Sequence, residues 1–115
     1  MDIEFYSDEN NNTPVEAFLD SLSPKIKSKT LRTIALLKSN GRNLGMPHSR
    51  YLRDGIFELR TQFGSNIDRI LYFFYIDNKA VLTNGFIKKS QETPKEEISL
   101  AKKYRNDYLR RHQNG

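Results

Sequence analysis

The sequence predicts an α+β fold, and three observations predict it. Residues 56–63, 67–76 and 79–87 form three runs rich in β-branched and aromatic residues, separated by turn pairs at Gly64-Ser65 and Asp77-Asn78. Proline follows a cap-type residue at Thr13-Pro14, Ser23-Pro24 and Thr93-Pro94, which is how helices begin. Apolar residues after the second and third of these pairs recur at helical rather than strand spacing. With a short strand at the N-terminus the order is β-α-α-β-β-β-α, an antiparallel meander packed on an N-terminal helical hairpin and a C-terminal helix.

Taken in order, Asp2–Ser7 is the first strand, with Ile3 and Phe5 turned inward. Thr13-Pro14-Val15-Glu16 starts a helix as a capping box: threonine caps, proline takes the first position, glutamate the third. The second helix runs from Ser23-Pro24 to Asn40 and stops at Gly41. Ile26, Thr30, Ile34 and Leu37 make its inner stripe, broadened by Leu31 and Ala35, while Lys25, Lys27, Lys29 and Arg32 occupy the rest. Residues 41–55, with Gly41, Gly45, Pro47 and Gly55, read as a loop. The last helix starts at a second capping box, Thr93-Pro94-Lys95-Glu96, and runs to about Leu109. Ile98, Ala101, Tyr104 and Tyr108 line one side of it, and Arg110-Arg111 makes a basic tail.

A two-residue turn at Asp77-Asn78 sets Ile76 opposite Lys79, Phe74 opposite Val81 and Arg69 opposite Phe86. An even loop at Gly64-Ser65 sets Arg60 opposite Arg69. Opposed residues share a face. The core face then carries Phe57, Leu59, Phe63, Ile70, Tyr72, Phe74, Ile76, Val81 and Ile87. The reverse face carries Glu58, Arg60, Gln62, Arg69, Asn84, Phe86 and Lys88, a cationic platform whose arginines should be replaceable at little cost to stability. A bulge near Gly85 would favour Lys89 over Lys88.

A chain of 115 residues is expected to make one domain, 1–115. It has no cysteine and two histidines, so neither a disulfide framework nor a thiolate or zinc centre is expected, and no cofactor is implied. The N-terminal MDIEFYSDENNN is acidic, and no apolar run reaches the roughly 18 residues of a membrane span. The expectation is a soluble cytoplasmic protein without membrane contact. Six of the 14 acids and none of the 19 lysines and arginines fall in residues 1–22, leaving a net +11 on the rest. Such polarity favours a polyanionic partner.

Cations planted among strand residues are expensive unless an anion meets them. Arg60, Arg69 and the Lys88/Lys89 pair therefore point to RNA phosphate. Glu58 shares the arginine face and has two readings, a general base or a cross-strand ion pair with Arg60 or Arg69. His48 in MPHSRY is either a proton shuttle or a plain loop residue. The aromatics Tyr72, Phe73, Phe74 and Tyr75 alternate faces, so at least half belong to the core. Arg53, Lys102, Lys103 and Arg105, with Arg110 and Arg111, either grip RNA phosphates or solvate their elements.

The succession LRDGIFELR, RILYFF and VLTNGFIKKSQETP, followed by a basic helix, resembles the HigB-like branch of the RelE/ParE toxin superfamily over nearly the whole chain. The resemblance implies a RelE-like fold and the toxin of a type II toxin-antitoxin system. It implies a ribosome-dependent mRNA endonuclease that needs no metal and uses the 2′-hydroxyl as nucleophile. The implied partners are a HigA-like helix-turn-helix antitoxin in a hetero-oligomer, the ribosome and mRNA, with DNA reached only through the antitoxin. Arg60 matches a basic position of the second strand, Arg69 the arginine of the R-[IL]-[LV]-Y segment, and Lys88 and Lys89 the basic pair ending the last strand. Ser90 and Gln91 stand where some relatives place an acid-base Tyr or His. Two other readings stay open: a gyrase poison like the ParE relatives, and a non-catalytic RNA-binding phage accessory protein.

Overall fold

The computed structural model describes residues 1–88 and 92–112. Alternating side chains and positive-φ turns draw three strands, β3 (Ile56–Phe63), β4 (Asn66–Tyr75) and β5 (Lys79–Lys88), into the expected antiparallel meander. Asp77 and Asn78 both adopt positive φ, but Tyr75 rather than Ile76 pairs with Lys79, so the expected two-residue turn is a three-residue loop, Ile76-Asp77-Asn78. A strand β1 (Asp2–Phe5) pairs parallel to β5, so the sheet is mixed. Three helices complete an α+β fold: α1 (Pro14–Asp20), α2 (Pro24–Asn40) and α3 (Lys95–His112). No described helix is long and apolar enough to cross a membrane.

The segment read as a loop over 41–55 contains a strand. After a short 3-10 turn at Gly41–Asn43, β2 (Ser49–Arg53) pairs antiparallel with β3, giving five strands in the order β1-β5-β4-β3-β2. Its turn is Asp54-Gly55, both at positive φ. That dipeptide is a strong hairpin signal, obscured by the glycine and proline density before it.

Both faces of the sheet are covered, including the one expected to form a cationic platform. On one side α1 and α2 bring Val15, Leu19, Ile34 and Leu37 onto Leu59, Ile70, Tyr72 and Leu82. On the other α3 packs Ile98, Ala101 and Tyr108 against Ile56, Leu71, Phe73 and Val81. The register agrees with expectation at Arg60↔Arg69 and Arg69↔Phe86 and departs toward the turn. Leu71 pairs with Asn84 but Tyr72 pairs with Leu82, so Thr83 is a bulge residue, two positions before the glycine expected to bear one. Its hydroxyl donates within 3.1 Å of the Leu71 carbonyl and lies 2.7 Å from Asn84 Oδ1. One extra residue flips the alternation. Val81 consequently joins the α3 core, while Ile76 and Ile87 lie exposed.

Caps divide as well. Ser23 Oγ accepts from the Ile26 amide at 3.5 Å. Thr13 makes no side-chain cap; its hydroxyl meets that of Ser7 at 2.5 Å, so the first capping box does not form. Gly85 is needed for space: a Cβ there would sit 2.4 Å from Phe18 Cδ2, where α1 lies on β5.

Asp68 is fully buried on the α2 side of β4. The Thr30 hydroxyl donates to its Oδ2, and Oδ1 has no hydrogen-bond partner among the described residues. Burial pushes this carboxyl up to about 6, against the downward pull of the Thr30 bond. A raised acid favours the neutral form, so its contribution to stability is full below the unfolded value near 4 and is lost as pH rises through about 6.

Two measurements check this packing. Gly85→Ala should lower stability by roughly 1–3 kcal/mol through overpacking against Phe18, and an unchanged melting temperature contradicts the close approach. Asp68→Asn should exceed the wild type by roughly 2–3 kcal/mol in urea melts at pH 8 and lose that advantage below pH 4. Parallel stability curves for the two proteins would show that Asp68 does not titrate in this range.

Candidate nucleic-acid interface

Strand parity brings four charged groups together. Glu58 and Arg60 alternate onto the α3 side of β3, Arg69 of β4 lies opposite Arg60, and Arg50 of β2 lies opposite Glu58. Glu58 Oε1 is 3.1 Å from Arg69 Nε and accepts from the Thr93 hydroxyl at 2.9 Å. Its Oε2 accepts from Arg50 Nε at 3.2 Å and from an Arg50 terminal nitrogen at 2.9 Å, with Arg60 at 3.4 Å. Glu58 and Arg69 are fully buried, Arg60 is 8% exposed, and the Arg50 side chain is 33% exposed. Burial pushes the Arg69 guanidinium down; the Glu58 charge opposes that shift, and Arg60 and Arg50 add to it.

Directly opposed arginines repel. Here one carboxylate diagonal to the pair contacts both, and its complete burial closes it to a hydroxyl arriving from solvent. The expectation that Arg69 could be replaced at little cost is overturned by its complete burial.

Lys88 ends β5 opposite Ile67, on the same face as Arg69 and Phe86, and is exposed. Lys89 lies outside the described residues. Arg53, Lys102 and Arg105 gather around the Asp54-Gly55 turn: Lys102 Nζ is 2.9 Å from Asp54 Oδ2, and Arg105 donates to the Asp54 carbonyl. Lys102 chiefly, then Arg53 and Arg105, holds the Asp54 carboxyl below its ordinary value. Lys103 lines a cavity of about 700 Å³ together with Lys102, Tyr6, Asp8 and Tyr104.

His48 lines a cleft of about 390 Å³ with Lys29, Thr33, Arg60 and Gln62, and its carbonyl accepts from the Arg60 amide at 2.8 Å. His112 stacks on Tyr108 at 3.8 Å, away from these groups. The run Tyr72–Tyr75 offers no stacking platform: Tyr72 and Phe74 pack with Phe57, and Phe73 and Tyr75 pack with Tyr108.

Arg50 and Thr93 are members of the cluster that sequence reasoning missed. Arg50 was hidden with the unrecognised strand, and Thr93 was read only as a helix cap. The alternation in Ser49–Arg53 before Asp-Gly was the available signal for Arg50. No local pattern announces the bond from Thr93 to a carboxylate 35 positions earlier.

Arg69→Ala should cost about 3–5 kcal/mol, because it removes a fully buried partner from a buried carboxylate. Arg50→Ala should cost less, since its side chain is partly solvated. Chemical denaturation of both variants checks the order, and an Arg69 variant as stable as wild type contradicts the buried cluster.

Comparison with known proteins places the chain in a family without extending the chemistry. Among curated proteins no relative matches the chain. Residues 17–106 match the family model of phage-derived Gp49-like proteins, DUF891, which spans α2, the whole meander, the Glu58 cluster and most of α3. Membership is consistent with a toxin-like protein and carries no assignment to the HigB branch. With that share of its length matched, the chain belongs to the Gp49-like family of phage-derived proteins.

Proposed function

We propose that this protein is the toxin of a type II toxin-antitoxin pair, a RelE-like endonuclease that cuts mRNA on the ribosome without a metal ion. The observation that carries the reading is the convergence of Arg50, Arg60 and Arg69 on one side of the sheet, with Lys88 two residue pairs further along the same face. Family membership and the succession of motifs support it.

In the proposed reaction the 2′-hydroxyl oxygen attacks the adjacent phosphorus, and its proton passes to a base. The 2′-O–P bond forms, the P–O5′ bond breaks, and the 5′-oxygen takes up a proton. The products are a 2′,3′-cyclic phosphate and a 5′-hydroxyl end. The intermediate phosphorane gathers negative charge that guanidinium and ammonium groups stabilise. Arg60 and Lys88 are the cations proposed to meet it, and Lys89 follows directly in sequence. Arg69 and Glu58 act as the internal pair that orients Arg60, in place of the base role for Glu58. His48, on a cleft that Arg60 also lines, is the group proposed to move the proton. Acting on ribosomes places the protein in the cytoplasm, restrained by a HigA-like helix-turn-helix antitoxin that alone touches DNA.

Expression without the antitoxin should arrest growth and generate new 5′ ends inside translated mRNA only when ribosomes are present. Arg60→Ala should slow cleavage by about 10²–10³. Co-purification should recover a small protein encoded beside the gene. Equal cleavage of naked RNA, or gyrase trapped on broken DNA, would contradict the proposal.

A further inference from the structure

Outside the Glu58 cluster, a second groove of about 390 Å³ runs between β2 and the start of α3. Arg50, Arg53 and Lys95 line it against one carboxylate, Glu92. Arg53 and Lys95 are exposed, and neither makes an ion pair among the described residues, unlike Lys27, Lys79 and Lys102. Three cations against one carboxylate in the groove, with Asp54 adjoining Arg53, leave a net positive charge that favours an anion from outside.

Tyr51, opposite Phe57 and so turned to the other face of β2 from Arg50, stands at the rim where the edge strand ends the groove, 56% exposed. Its ring is fixed nonetheless: the hydroxyl accepts from the Gly55 amide at 3.2 Å, and the ring meets Phe57 edge-on at 5.1 Å. A preoriented exposed ring flanked by cations is the arrangement by which proteins hold single-stranded nucleic acid, with bases stacked and phosphates gripped. A polypeptide strand fits less well. β2 has only five residues, and its pairing breaks between Tyr51 and Arg53, so it presents a short, bulged, basic edge. Arg50 belongs both to this groove and to the Glu58 cluster, which makes the two continuous.

We propose that this groove binds one nucleotide unit of single-stranded RNA beside the cleavage site, its base stacked on Tyr51 and its flanking phosphates held by Arg53 and Lys95. The proposal rests on the nuclease reading above and names the path of its substrate.

The test is fluorescence anisotropy of labelled dodecauridylate with the full chain between 50 and 200 mM salt. Arg53→Gln combined with Lys95→Gln should flatten the slope of log affinity against log salt by about 1.4, the loss of two phosphate contacts to a single strand. Tyr51→Leu, which keeps an apolar contact on Phe57, should lower affinity about 5- to 150-fold without changing the slope. In ribosome-dependent cleavage both variants should raise KM and leave kcat unchanged. An unchanged slope and affinity overturn the proposal, whether or not the wild type cleaves mRNA. So does retention of RNA binding by the double variant together with loss of the co-encoded partner, which assigns the groove to a polypeptide. If the wild type shows no cleavage on ribosomes, the nuclease reading fails by itself, and the anisotropy series still decides whether the groove holds RNA.

Discussion

Glu58 is a fully buried carboxylate, and the charged half of the fold is arranged around it. Removing a carboxylate from water costs several kcal/mol unless donors replace the lost hydration. Here the donors come from three different strands and from the segment leading into α3: Arg50, Arg60, Arg69 and Thr93. Their meeting requires β2 to pair with β3 in its observed register, β4 to set Arg69 opposite Arg60, and Thr93 to reach back across the sheet. A one-residue slip in either pairing would turn an arginine into the opposite core. The cluster is thus a register device as well as a charge store.

The remainder of the sheet shows how one surface serves two ends. Beyond Leu71 the α3 face is apolar and packed by Ile98, Ala101 and Tyr108, and before it the same face is ionic. Thr83 lies at the junction, where the bulge moves Val81 into the α3 core. Asn84, next to it, donates to the Glu97 carbonyl and carboxylate at 3.2 and 3.0 Å and so ties the sheet to the start of α3. The opposite face has its own polar exception in Asp68, tolerated because its carboxyl can be neutral when Thr30 supplies a donor.

Period and turn chemistry made much of this readable from residues alone. The helix starts, the meander and the Arg60↔Arg69 pairing follow from short-range rules that survive packing. β2 was lost because glycine and proline around Pro47 outweigh a five-residue alternation, although Asp54-Gly55 carried the hairpin signal. The Thr83 bulge has no sequence mark, since it is chosen by hydrogen bonds to Leu71 and Asn84 that exist only in the assembled sheet. The cation face was legible as a set of residues but not as a buried one, because burial of Arg69 depends on the Glu58 contact and on how the sheet is covered.

A phosphate and a carboxylate ask the same thing of a guanidinium fork, two oxygens in one plane. The contacts that hold Glu58 inside the protein are thus of the kind that the proposed function asks of a scissile phosphate, and Arg50 and Lys88 are the cations on that face open to solvent. The most direct measurement is cleavage of a ribosome-bound mRNA carrying a single 2′-deoxynucleotide at the mapped cut site, with chelator present, set beside the all-ribose message. The account predicts that the ribose message is cut to a 2′,3′-cyclic phosphate and a 5′-hydroxyl end while the deoxy-substituted one survives at that position. Cutting of both messages at equal rate, or dependence on a divalent ion for the chemical step, would contradict it.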